Sequence, residues 1–290
     1  MQVKPRVRKA YTWFGRSLAL GGLVFVAIRL QHDFDRLPTQ WVTFRNLALL
    51  GPLLVILLTA NHVLAGAWYH IMVWLYRPTT LRVSFKVYAR SQIGKYLPGN
   101  IFQFVGRQTL GTRVGFPHAP LAKSTVFEIG LISIAGFFVG LFAVVTSLTA
   151  VSLWHMVVLY AAVLVSIVIL AFLFQWQRLL VAFLLCILYL LTTGSAFLLS
   201  LQWYGRDLVI GESALLVVSG YVLGWLAGLL TPGAPAGIGV REAVLIGLLE
   251  GVVALPLLTL CVIVMRIVSV VADILFFLFG GFRLKGYWSS

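Results

Sequence analysis

Long apolar runs alternate with short polar stretches along this chain. The runs cover Phe14–Leu30, Leu47–Trp74, Leu121–Leu148, Val151–Phe174, Arg178–Trp203, Ser213–Leu230, Val240–Val253 and Leu255–Phe279. Most approach the roughly 20 residues that a helix needs to cross a bilayer core. The pattern predicts an all-α, polytopic helical membrane protein of about eight spans. Two stretches interrupt it. Residues 91–115 contain Gly94-Lys-Tyr-Leu-Pro-Gly-Asn100, and residues 231–243 contain Pro232-Gly-Ala-Pro-Ala-Gly-Ile-Gly-Val-Arg-Glu242. Proline removes a backbone donor and glycine loses the most entropy in a helix, so helices are expected to break at both places. Pro98, Gly99, Pro232, Gly233, Gly237 and Gly239 are the expected hinges.

Composition supports the membrane assignment. Of 290 residues, 61% are hydrophobic and only 10% are charged, against about 25% charged in soluble domains. The whole chain, residues 1–290, is expected to form a single integral membrane domain. The net charge of +14 would suggest nucleic acid in a soluble protein. Here it orients the protein and attracts anionic headgroups, and no basic helix with interleaved aromatics invites nucleic acid. Cys186 and Cys261 fall inside apolar runs, so no disulfide is expected. No metal-ligand spacing is present, and no cofactor is expected. Basic Met1–Arg16 precedes a first apolar run that lacks a clear small-residue cleavage site and reads as a retained span.

Charge also orients the chain. With the N-terminus inside, the first interruption returning to its own side and the second continuing across, 17 of the 22 cations are cytoplasmic and 4 are external. Arg266 remains within a span. That bias places both termini in the cytoplasm, and the expected location is a bacterial or archaeal cytoplasmic (inner) membrane. Either interruption can be a re-entrant hairpin or a full crossing on this evidence.

In lipid, broken backbone persists only where protein covers it or where it lines a wet cavity. A pair of interrupted segments in separate halves of a chain points to a transporter's binding site. Lys95 and Arg107 lie at the first interruption, and Arg241 and Glu242 at the second. Exposed helix-terminal amides and guanidinium forks suit a phosphate, so these four are the candidate substrate-binding residues; Arg113 fits the positive-inside rule alone. Arg266 and Asp273 share a face of the last run about 10 Å apart. They cannot pair directly, and each needs a partner from Glu128, Arg241, Glu242 or Glu250. Glu128, Arg266 and Asp273 are therefore expected to form a buried polar network. Asn61, His62 and His70 are expected to hydrogen-bond neighbouring helices.

The two interrupted stretches, with Gly106-Arg107, resemble the transmembrane region of the lysylphosphatidylglycerol synthase/flippase family, in particular its small stand-alone members. The likeness runs over roughly residues 47–281. It implies re-entrant segments around a lipid-accessible cavity and movement of a phosphate-bearing lipid between leaflets, either a phospholipid or a polyprenyl-phosphate-linked glycolipid. It does not bring aminoacyl transfer, which belongs to a cytosolic domain absent from this sequence. Ala234-Pro235-Ala236 departs from the family pattern, where more glycine is expected. The expectation is a non-enzymatic flippase or scramblase, acting as a homo-oligomer or beside an enzyme of a lipid pathway. Two rival readings stand beside it. One is an integral membrane glycosyltransferase using Asp33 and Asp35 with a polyprenyl-phosphate sugar; the other is a non-transporting scaffold subunit.

Overall fold

The structure is a computed structural model that describes residues 43–97, 101–148, 153–205, 213–231, 237, 239–249 and 251–280. Among the described residues there are helices and no strands. A short helix, α1 (Phe44–Ala48), leads into α2 (Leu50–Leu75). Then come α3 (Leu81–Gln92), a 3-10 turn (Ile93–Tyr96) and α4 (Phe102–Arg113). Three long helices follow: α5 (His118–Leu148), α6 (Leu153–Leu173) and α7 (Gln177–Tyr204). The chain ends with α8 (Ala214–Leu230), α9 (Val240–Leu249) and α10 (Leu255–Phe279). Five segments are long and apolar enough to cross a membrane: Asn46–Leu75, His118–Leu141, Trp154–Leu173, Gln177–Tyr204 and Leu255–Phe279. The protein is thus an α-helical integral membrane protein. The expected span at Phe14–Leu30 lies outside the described residues.

Helices α2 and α7 pack together and run through two apolar clusters. One centres on Trp68, Ile71, Tyr88, Leu121, Phe183 and Leu190. The other joins Leu53, Phe197, Tyr221, Leu245, Leu249 and Met265. The candidate span in α6 is only 11% buried and lies at the periphery.

The first interruption is the tip of a helical hairpin. Thr80 caps α3, its side chain accepting from the Val83 amide at 3.4 Å. A Cβ on Gly94 would lie 2.7 Å from the Gln103 amide nitrogen, so only glycine lets the two strands of the tip approach so closely. Gly106 faces Ser91. The pairs 94/103 and 91/106 make α3 and α4 antiparallel. Each has 12 residues, or about 18 Å, which is too short to cross about 30 Å of hydrocarbon. The hairpin starts at Leu81, ten residues before the stretch expected from glycine and proline alone. Helix α4 ends in a Schellman motif: Gly115 has φ +95°, and Phe116 N–H donates to the Gly111 carbonyl at 3.0 Å.

The second interruption is built the same way. Gly220 faces Leu249, Gly224 faces Leu245 and the Arg241 carbonyl, and Gly228 meets Gly237. That register makes α8 and α9 antiparallel. Gly237 has φ +72°, and a Cβ there would lie 2.7 Å from the Gly228 Cα. Gly239 has φ +87°. With 10 residues, α9 is only about 15 Å long. That is about half of the roughly 30 Å of hydrocarbon in a bilayer core.

Candidate functional site

Helix α10 receives both hairpins. It is fixed at its start by Pro256 in the first turn, where a missing N–H costs nothing. Near its far end, Gly280 lies close to Ala89 and Arg90 of α3, so the first hairpin arrives from the C-terminal end of α10. The second hairpin arrives from the opposite end, because only residues 250–254 separate Leu249 from Leu255. Their tips meet α10 on the face that carries Arg266 and Asp273.

Asp273 anchors the first tip. Its Oδ2 pairs with Lys95 Nζ at 2.7 Å and accepts from the Tyr96 hydroxyl. Its Oδ1 accepts from Asn61 Nδ2 at 3.0 Å. Three donors from two segments, the 3-10 turn and α2, hold one carboxylate that is 1% exposed. Ile93 and Tyr96 pack on Val270, Ile274 and Phe277 around it.

Arg266 anchors the second tip through an ion pair with Glu242. The other carboxylate oxygen of Glu242 accepts from the Gly239 amide at 2.7 Å. Glu242 thus caps the first turn of α9 while it is tied to α10. Arg266 is the twelfth of the 25 residues of α10, so this contact lies at mid-helix.

A third pair, Arg107 with Glu128, joins α4 to α5. Tyr88 donates to Glu128 at 2.9 Å, and the guanidinium stands 4.0 Å over the Tyr88 ring and 5.4 Å over Trp68. Its side chains are 2% and 7% exposed, against 14% and 24% for Arg266 and Glu242 and 21% for Lys95. The first hairpin is therefore clamped to α5 by a closed pair, while the two tip contacts on α10 are partly open.

Arg241 lies beside these tips. Its guanidinium carbon stands 4.4 Å over the Tyr221 ring. The described residues include three carboxylates, Glu128, Glu242 and Asp273, and each already holds a different cation. Among the described residues none is left for Arg241.

Of the residues singled out in the sequence, Lys95, Arg241, Glu242, Arg266 and Asp273 come together at α10, and Arg107 and Glu128 form the closed pair. As expected, Arg266 and Asp273 do not pair with each other. Asn61 reaches across to Asp273, whereas His62 donates to the Leu58 carbonyl of its own helix at 2.8 Å. His70 Nδ1 lies 3.4 Å from Arg178 Nη1. Pro98, Gly99, Pro232, Gly233, Glu250, Asp33 and Asp35 lie outside the described residues. Cys186 and Cys261 are buried free thiols. Among the described residues no group of three His, Cys, Asp or Glu could hold a metal ion. Sequence reasoning missed Tyr88, Tyr96 and Tyr221, which complete the network. Tyr88 was findable: Ser84, Tyr88 and Ser91 recur at helical spacing behind the Thr80 cap. No family model matches the chain, and neither a curated protein nor a solved structure does.

Proposed function

We propose that this protein is a flippase or scramblase that moves a lipid with a phosphate-bearing headgroup between membrane leaflets. The observation that carries this reading is the group of partly open charges on α10 between two opposed hairpin tips. Interrupted helices meeting at mid-depth from opposite sides are a transporter's way of presenting a site to both faces in turn. The contacts at Asp273 and Arg266 stand about 10 Å apart along α10, a spacing that suits a headgroup. Arg241 and Lys95 would meet the phosphate there, and the closed Arg107–Glu128 pair would keep the first hairpin fixed to the scaffold. In this reading the hairpins re-enter from opposite membrane faces, and both termini are cytoplasmic. The acyl or polyprenyl chains stay in the bilayer while the headgroup crosses. The cargo is a phospholipid or a polyprenyl-phosphate-linked glycolipid, and the driving force is a gradient or consumption of lipid on the far side.

The test is reconstitution of the purified protein in vesicles carrying tail-labelled phospholipids, with leaflet exchange read by a membrane-impermeant quencher. Wild-type protein accelerates exchange over empty vesicles, and Arg241→Ala lowers the rate with normal insertion. Exchange no faster than in empty vesicles, for phospholipid and polyprenyl phosphate alike, refutes the reading.

A further inference from the structure

The charges at the hairpin tips are unequal in number, and that inequality bears on the cargo. At the two hairpin tips stand three described cations, Lys95, Arg241 and Arg266, and two described carboxylates, Asp273 and Glu242; Arg90 lies farther along, at the end of α10. Arg107 and Glu128 neutralise each other separately. Among the described residues the tip region therefore carries one surplus positive charge, and it sits on Arg241. Tyr221 takes one face of that guanidinium at 4.4 Å. A ring contact offers the fork no oxygen, so its N–H donors stay available to a ligand. Arg241 is partly buried, and in such a partly open site a ligand that neutralises the surplus charge is favoured.

We infer that the site selects a headgroup with a single net negative charge, a phosphodiester monoanion, over zwitterionic and pyrophosphate headgroups. This inference rests on the lipid-transport reading and narrows its substrate class. The chemistry is a count of charges together with shape. A monoanion brings the tip region to neutrality, and its two non-bridging oxygens match the guanidinium fork. A zwitterion brings an ammonium as well, whose obvious acceptors, Asp273 and Glu242, are already engaged by Lys95, Asn61, Tyr96 and Arg266. A pyrophosphate brings more negative charge than the surplus and leaves part of it unpaired in low dielectric.

Binding, measured apart from transport, tests this. The full-length protein in detergent micelles is titrated with a phosphatidylglycerol, a phosphatidylcholine of the same chains and a polyprenyl pyrophosphate. Occupancy is read by native mass spectrometry and by thermal stabilisation. The expected result is binding of the phosphatidylglycerol roughly tenfold or more tighter than either other lipid, the worth of one charge-assisted contact. Arg241→Gln removes the preference, and Arg241→Lys, which keeps the charge, retains most of it. Comparison of the three lipids on the wild-type protein decides the matter even where a variant folds poorly. Equal binding of all three, tightest binding of the pyrophosphate, or a preference that survives Arg241→Gln overturns the inference. Binding of inorganic phosphate as tight as that of the lipid overturns the lipid headgroup as its source. A protein that binds as expected but does not speed leaflet exchange refutes the transport reading and leaves this one standing.

Discussion

Glu128→Gln is the most informative single substitution in the scaffold. Glu128 receives Arg107 and the Tyr88 hydroxyl in a site where Arg107 is 1% exposed. The amide keeps the shape and removes the charge. Arg107 is then left with Ser91 Oγ at 3.4 Å and the rings of Tyr88, Trp68 and Phe104. Breaking one side of a buried pair costs about 3–5 kcal/mol. The remaining cation–π contacts return about 1–2 kcal/mol at most beyond what they already give, so a net loss of about 3 kcal/mol is expected. At roughly 2–4 °C per kcal/mol, that is a fall in Tm of about 6–12 °C. The assay is built into the chain. Cys186 and Cys261 are free and fully buried, so a thiol-reactive dye reports their exposure on heating. The companion double variant, Arg107→Met with Glu128→Leu, removes both charges and is expected to recover most of the loss. A fall of less than about 2 °C for Glu128→Gln, or a double variant as unstable as the sum of its singles, would refute the closed-pair argument.

Three further outcomes are expected. Gly237→Ala forces a side chain into φ +72° against the Gly228 backbone; it should cost more than about 1–2 kcal/mol and lower the Tm in the same dye assay, while Gly247→Ala, which meets nothing within 4 Å, should not. Gln175 stands at φ +57° where α6 ends, with Trp176 N–H donating to Ala171 at 2.7 Å; Gln175→Gly should raise stability by about 0.5–1 kcal/mol, because glycine suits that Schellman position. Single cysteines at the exposed Arg82 and Ala254 positions, which flank opposite ends of α10, should react with an impermeant maleimide from opposite faces of sealed vesicles; reaction of both from one face contradicts opposed hairpins.

Much of the architecture was legible because glycine and proline are conspicuous in apolar sequence. The described helices stop at Tyr96 and Leu230 and resume at Phe102 and Val240, and the sequence between them carries the Pro-Gly pairs 98/99 and 232/233; the spacing of Arg266 and Asp273 already required two separate partners. Glu242 was among those named for them. Lys95 was not, since nothing local links the 3-10 turn to a helix far along the chain. The helix from Leu81 is hard to read in the sequence, because Arg82, Lys86 and Arg90 break up the apolar pattern while its buried side is Ser84, Tyr88 and Ser91. Tyr96 and Tyr221 were missed for another reason: in a chain 13% aromatic, a tyrosine in an apolar run looks like packing until its hydroxyl or ring is found against a charge.

The placement of both tips on one helix has a mechanical consequence. A stiff rod grasped at two points from opposite directions cannot slide toward one grip without retreating from the other. A displacement of α10 by a single turn, about 5 Å, would tighten Asp273 against the first tip as it drew Arg266 off the second, or the reverse. Under the proposed transport function, a headgroup between two grips coupled in this way would meet one side of the bilayer at a time.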